Sequence, residues 1–274
     1  MKLKKLTILL HEGLANRMRV IASVYPLIKD GIKIKILWML NNELNCNFEK
    51  LFQPINSIEV SNITEYPKLF NTNQKNIIKR IIAKVWNKMH NYDFVIGGGF
   101  GNKDTCNVKL IHKVLENKQS VFLETCAILF NISDYSIFKP TENILKQVNK
   151  YPLIGTEYIG IHIRRGDNIK SQQNSRINLF IEKINEILKS NNNAQFYLAT
   201  DSIDIKDFFD MYFGKCIHTK DVDYSRNSDQ GIIDAYIEMI LLSKAKIILG
   251  SYWSSFDEVA QKLNGTKLEK ITTK

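Results

Sequence analysis

Short apolar runs alternate with longer segments whose apolar positions recur every three to four residues, and this pattern holds along most of the chain. The first run, Leu6 to Leu10, is apolar apart from Thr7 and reads as a first strand. A helix is predicted behind it from about Asn16 to Lys29, with Gly31 as its terminator. Ile32 to Trp38 reads as a second strand, and the Asn-rich residues 41–75 read as irregular. Ile77, Ile78, Ile81, Ile82, Val85 and Met89 recur at helical spacing and predict a helix over Ile77 to His90. Phe94 to Ile96 follows as a short strand running into Gly97-Gly98-Gly99-Phe100-Gly101; Val108 to Leu115 reads as helix and Ser120 to Leu123 as extended.

The second half repeats the pattern. Its predicted strands are 158–163, 195–199, 215–218 and 246–250, and its helices lie near 177–189, 204–213, 229–244 and 255–263. Strands separated by helices imply parallel sheets joined by right-handed crossovers. Ser136 to Lys150, which contains Pro140, reads as a linker entering a helix. The expected architecture is α/β, with two Rossmann-like domains over residues 1–140 and 141–274 facing a cleft.

Composition narrows the class. A chain of 274 residues with 44% hydrophobic and 24% charged residues suits a globular protein of two domains. The basic start, with an apolar core of only Leu6 to Leu10, is too short for a signal peptide, so a cytoplasmic setting is expected. Cys46, Cys106, Cys126 and Cys216 are far apart and read as free, mostly buried thiols; the five His are equally scattered, so no metal site is expected. The net charge of +10 favours anionic partners: nucleotide diphosphates, an acidic membrane surface touched peripherally, or nucleic acid. Basic runs are as brief as Lys2-Leu3-Lys4-Lys5 and Lys79-Arg80, which removes nucleic acid from the expected partners.

Four segments carry candidate chemistry. In Tyr158-Ile159-Gly160-Ile161-His162-Ile163-Arg164-Arg165-Gly166-Asp167, a buried strand leads straight into two guanidiniums. Arginine keeps its charge and its planar fork suits phosphate oxygens. Ligands of open α/β sheets sit beyond the carboxyl ends of strands. The alternative is a solvated turn with a local Arg–Asp pair. After the first strand, His11-Glu12-Gly13-Leu14-Ala15-Asn16-Arg17-Met18-Arg19 packs a carboxylate, an amide and guanidiniums together, with Asn16 as the expected N-cap. Near the C-terminus, Ser254 or Ser255 would cap a helix whose free N–H groups also suit an anion. Glu238, on the preceding helix, could accept hydrogen bonds from a guanine edge or be an exposed helix charge. Asp201, at the end of another strand, is expected to touch ligand or to cap the helix that follows.

The Gly-Leu-x-Asn-Arg loop, the His-x-Arg-Arg-Gly-Asp segment and the Ser-x-x-Ser-Ser-Phe segment occur in one order along the chain. Together they resemble the superfamily of α1,2-, α1,6- and protein O-fucosyltransferases, which use GDP-fucose. The resemblance implies a GT-B fold, metal-independent transfer with inversion at the fucose anomeric carbon, and no cofactor beyond the GDP-fucose donor substrate. It implies that Arg164 grips the donor β-phosphate with Arg165 beside it, that His162 lies by the guanosine, and that Glu238 holds guanine. Ser254, Ser255 and Phe256 would close on the phosphates, and Asn16 and Arg17 would reach across from the other domain. Glu12 is the first choice for the general base and Asp167 the second. The expected function is transfer of fucose to a glycan hydroxyl, of α1,2 type, in bacterial surface-polysaccharide synthesis. The alternatives are another nucleotide-sugar donor on the same fold, or a nucleotide-sugar-binding protein without turnover. The departures are Ala15 for a second Gly, Arg17 for Gln, and Trp253 within the serine segment.

Overall fold

The structure, a computed structural model, describes residues 2–273 apart from residues 74, 98–102, 132 and 167. Two compact units divide the chain, Met1–Lys139 and Pro140–Lys274.

The first unit holds five strands: β1 (Lys5–Leu10), β2 (Lys33–Met39), β3 (Ile58–Ile63), β4 (Phe94–Ile96) and β5 (Ser120–Glu124). They form one parallel sheet in the order β3-β2-β1-β5-β4. The first strand of the chain is therefore central, and Leu6, Ile8 and Leu9 are wholly buried. The helices are α1 (Leu14–Val24), α2 (Phe48–Leu51), α3 (Ile77–Met89) and α4 (Val108–Asn117).

Two expectations change here. The single helix over 16–29 is two elements, α1 and a 3-10 segment Tyr25–Asp30, because Pro26 at its start has no N–H to continue an α-helical ladder. Asn16 is not the N-cap: burial of Leu14 and Ala15 draws the helix start forward, and extended Gly13 takes that position. The region read as irregular contains β3, an edge strand paired only with β2 and only partly buried, which blurs its alternation.

In the second unit, α5 (Glu142–Asn149) leads into β6 (Ile159–Ile163), α6 (Ile169–Asn174), α7 (Ile177–Ser190), β7 (Phe196–Thr200) and α8 (Ile203–Phe213). Then come β8 (Ile217–His218), α9 (Asp229–Ser243), β9 (Ile247–Ser251), α10 (Ser255–Asn264) and β10 (Lys267–Ile271). The parallel order is β10-β9-β6-β7-β8.

The alternation of β6 sets up both of its faces. Ile161 and Ile163 pack with Phe180 and Ile184 of α7. Gly160 and His162 turn to the face covered by α9 and α10. A Cβ at Gly160 would stand 3.0 Å from Leu242 and 3.2 Å from Ala245, so glycine permits this close helix approach. Helix α9 is apolar nearly all round, and accordingly Ile237, Met239, Leu241 and Leu242 are all buried.

Helix α3 forms as its periodicity predicts, but only its Ala83 and Asn87 are buried. Among the described residues, no helix is long and apolar enough to cross a membrane. Of the thiols read as mostly buried, only Cys46 is fully so; Cys106 is exposed and lies 3.6 Å, sulfur to sulfur, from Cys126.

Candidate functional site

Each sheet has a topological switch point, where chain connections leave in opposite directions and the loop ends part to leave a crevice. In the second unit it lies between β6 and β9, since β6 runs on to β7 while β9 returns on its other side. The first residue beyond β6 is Arg164, and its backbone N–H donates to the Ser251 hydroxyl at 2.9 Å. Ser251 in turn donates to the His162 carbonyl at 3.0 Å, so one hydroxyl ties the ends of the two strands together.

Asp201 fixes the direction of Arg164. Its Oδ2 accepts from Arg164 Nη1, and its Oδ1 accepts from the Arg165 backbone N–H at 2.7 Å. Of the two expectations for Asp201, helix capping is replaced: Ser202, not Asp201, stands at the N-cap of α8. Gly166 makes the turn at φ +31°, and a Cβ there would meet Asp201 Oδ2 at 2.7 Å. Arg165 points elsewhere, donating through Nη2 to the Ser175 carbonyl at 2.8 Å, and burial lowers its pKa. Asp167 lies outside the described residues, as do Gly98 to Gly101 of the glycine-rich loop.

His162 is buried, stacks on Phe256 at 4.9 Å between centroids, and sets Nδ1 3.4 Å from Asp257 Oδ2. Asp257 also accepts from Lys270 Nζ at 2.7 Å, and Lys270 donates to the Ser251 carbonyl at 2.9 Å. Thus β6, β9, β10 and α10 are locked into one polar cluster at the sheet's edge of exit. Ser254 is the N-cap of α10, accepting from the Phe256 N–H at 3.3 Å, and Ser255 begins the helix. The preceding Trp253 is 62% exposed, with φ +54°, a strained backbone for a bulky residue. Its carbonyl accepts from Asn168 Nδ2 at 2.9 Å, which ties the serine loop to the arginine loop.

The sequence-selected residues of the second unit, Asp167 aside, therefore fall mostly together: Arg164, His162, Ser254, Ser255 and Phe256 gather at one switch point, while the Arg165 side chain turns to the Ser175 carbonyl. Glu238 belongs to the same sheet face but bonds to Tyr197 of β7, at 3.5 Å. It is buried rather than an exposed helix charge, and burial pushes its carboxyl up to about 8; Lys220 opposes this and Asp234 adds to it. An unfolded glutamate ionises near 4.5, so the native state favours the neutral acid. The associated stability is intact below that value and is lost as pH rises toward 8. Glu238→Gln is expected to melt within about a degree of wild type at pH 5, and clearly above it at pH 9. Parallel melting curves of the two proteins across this range would show that Glu238 is not held neutral.

The first unit has its own switch point, between β1 and β5. His11 follows β1 and Glu124 ends β5, and His11 Nε2 lies 3.3 Å from Glu124 Oε1. The glutamate raises the His11 pKa. Glu12 is half-buried, its carbonyl accepting from Arg17 Nε. Asn16 accepts from Arg19 at 3.5 Å. Arg17 is 1% exposed, with its guanidinium 4.6 Å from the Trp38 ring. Neither of its terminal nitrogens has a hydrogen-bond partner among the described residues, and burial lowers its pKa to about 9. Glu12, in the loop after β1, and Asn16 and Arg17, in the first turn of α1, thus stand together at one strand end, with His11 and Glu124 as partners that the sequence reading left unassigned. Only the register β1–β5, invisible before the strand order is known, brings Glu124 to His11.

Among the described residues, no group of three His, Cys, Asp or Glu could hold a metal ion. The chain does contain an Asp-x-Asp spacing, Asp221-Val222-Asp223. Its carboxylates are engaged by Lys206 at 2.6 Å and by the Ser225 N–H at 2.8 Å.

No family model matches the chain, and no curated protein matches it in sequence. Solved structures do match in shape. NodZ α-1,6-fucosyltransferase co-crystallized with GDP, an enzyme from Bradyrhizobium, aligns with TM-score 0.62 at 15% identity, over 96% of this chain and 93% of that one. A mutant of Arabidopsis thaliana FUT1 in complex with GDP aligns with TM-score 0.57 at 16% identity, over 97% of this chain and 70% of that one. POFUT1 in complex with GDP aligns with TM-score 0.51 at 14% identity, over 98% of both chains. Two five-stranded parallel sheets in one chain, aligned almost end to end with these proteins, give it the GT-B-like fold of the GDP-fucose-dependent fucosyltransferases.

Proposed function

We propose that this protein is an inverting fucosyltransferase that moves fucose from GDP-fucose to a glycan hydroxyl. The observation that carries the reading is Arg164, aimed by Asp201 and Ser251 at the β6–β9 switch point, where α10 also begins with Ser254 as its N-cap. The acceptor oxygen would attack the fucose anomeric carbon while the bond to the GDP β-phosphate breaks. Negative charge then builds on that phosphate, where Arg164 and the first N–H groups of α10 stabilise it. The proton of the acceptor hydroxyl passes to a base of the first unit, either Glu12 or His11 oriented by Glu124. In this reading the second unit binds the donor and the first the acceptor, and no metal takes part. Glu238 holds guanine, its neutral carboxyl ionising as the base's N–H donors approach. The motif resemblance supports transfer of α1,2 type to a surface polysaccharide, Arg17 in place of Gln is the departure against it, and the fold neighbours include an α-1,6-fucosyltransferase.

Thermal shift against nucleotides tests the donor. GDP and GDP-fucose are expected to raise the melting temperature, each contributing about 2.7 kcal/mol at a hundredfold excess over its dissociation constant. UDP and CMP are expected to leave it unchanged, and turnover should persist in EDTA. Equal stabilisation by UDP would remove the guanine assignment and favour another nucleotide-sugar donor.

A further inference from the structure

The apolar face of α3 points away from its own domain. At 100° per residue, Ile77, Ile78, Ile81, Ile82, Val85 and Met89 fall within an arc of about 140°. The buried Ala83 and Asn87 lie on the opposite side. The helix is held from that side: the Asn87 amide donates to the Phe70 carbonyl at 2.6 Å and its oxygen accepts from the Phe70 N–H at 3.1 Å. Consequently all six apolar residues are exposed, from 56% at Ile81 to 73% at Met89. Contiguous exposure of six large apolar side chains marks a surface that meets something else.

The charges on α3 indicate what that is. Within Ile77–Met89 stand Lys79, Arg80, Lys84 and Lys88, and no acidic residue. Lys84 borders the apolar arc on one side and Lys79 and the partly exposed Trp86 border it on the other, while Lys88 stands within it and pairs with Asp93 at 3.0 Å. Trp86 is fixed there by donation from Nε1 to the Lys68 carbonyl at 2.7 Å. A second copy of the chain would set these cations against each other without an acid on the helix to pair them. A bilayer with anionic headgroups suits both properties, since acyl chains accept the apolar stripe and phosphates accept the flanking cations. We propose that α3 is an interfacial helix that lies in the plane of an anionic phospholipid surface and anchors the protein there. At about 1.5 Å per residue it would present roughly 20 Å of apolar stripe to the acyl boundary.

Vesicle co-sedimentation tests this without reference to donor or turnover. The purified chain is mixed with vesicles of phosphatidylcholine alone, or of phosphatidylcholine with phosphatidylglycerol. Wild type is expected to pellet with the anionic vesicles, and weakly or not at all with the neutral ones. Ile78→Ser/Val85→Ser, both at exposed positions, is expected to weaken anionic binding at least about tenfold while the melting temperature is retained. Arg80→Gln/Lys84→Gln is expected to weaken it as well. If a variant is misfolded, the wild-type protein still gives an answer: brominated acyl chains should quench Trp86, and Trp86→Phe should remove that quenching. Absence of vesicle binding, equal binding to neutral vesicles, or unquenched Trp86 would overturn the proposal. So would a dimer in sedimentation equilibrium that the Ile78→Ser/Val85→Ser pair dissociates, which would assign the face to a second copy.

Discussion

Replacing Arg164 with alanine is expected to lower kcat at least about 10²-fold, the scale of losing one preorganised donor to a developing charge. The side chain is not a free surface cation. Asp201 holds its Nη1, Ser251 holds its backbone N–H, and Gly166 leaves room for that carboxylate. Such preorganisation means that little reorganisation is needed when the phosphate becomes charged. Arg164→Lys should restore part of the rate, since an ammonium supplies charge without the planar fork. Asp201→Asn should act in the same direction as Arg164→Ala but less strongly, because it loosens the guanidinium without removing it. Arg165 is the comparison, for its guanidinium is spent on the Ser175 carbonyl. Arg165→Ala should therefore cost melting temperature more than rate. Steady-state kinetics with GDP-fucose decide the matter, and near-normal turnover by a folded Arg164→Ala protein would overturn the mechanism.

The second large effect runs in opposite directions for stability and activity. Arg17→Met is expected to abolish turnover and yet raise the melting temperature. Among the described residues both terminal nitrogens of this buried guanidinium lack a partner, so its desolvation is offset only by the Nε bond to the Glu12 carbonyl. Its lowered pKa has the same meaning: below about 9 the folded state carries a cation it disfavours, a cost on the order of several kcal/mol. The contact with Trp38 returns only about 0.5–2 kcal/mol of this. Methionine keeps the volume and drops the charge, so a gain of about 2–4 °C per kcal/mol relieved is expected. In the function proposed above, an anionic or hydroxyl-rich ligand would pair with this side chain and offset that cost. Differential scanning calorimetry alongside the activity assay checks both halves. A destabilised variant with full activity would reassign Arg17 to the core.

Much of this was visible in the residues because buried parallel strands advertise themselves. Leu6 to Leu10 and Tyr158 to Ile163 are nearly continuous apolar runs, broken only by Thr7 and His162, and the charged groups directly after them mark strand ends, where ligands of open α/β sheets sit. The edge strands β3 and β10 escaped, since one unpaired side and partial exposure remove the apolar run that identifies a strand. Asp257, Lys270 and Glu124 escaped for a different reason. Each acts across strands that are distant in sequence, and no local spacing encodes which strands are neighbours. Asn16 was misread because a polar residue at a strand exit suits a cap, while the burial of Leu14 and Ala15 that moves the helix start is a tertiary effect. The spacing of α3 gave its helix correctly but could not tell which face turns inward.

The placement of β1 and β6 at the middle of their sheets also governs how the chain acquires its structure. Leu6 of β1 pairs with Ile34 soon after synthesis, but its other neighbour, Val121 of β5, lies most of a domain further on. Likewise Ile161 of β6 meets Leu198 first and Leu249 only after α8, β8 and α9 have been made. Each sheet is thus completed by a long-range closure, whose entropy cost slows folding compared with local pairings. On an emerging polypeptide, one edge of each central strand stays open until β5 or β9 arrives. These are also the edges that flank the two switch points, so the arrival of β5 or β9 is the event that brings together the strand ends of each polar cluster.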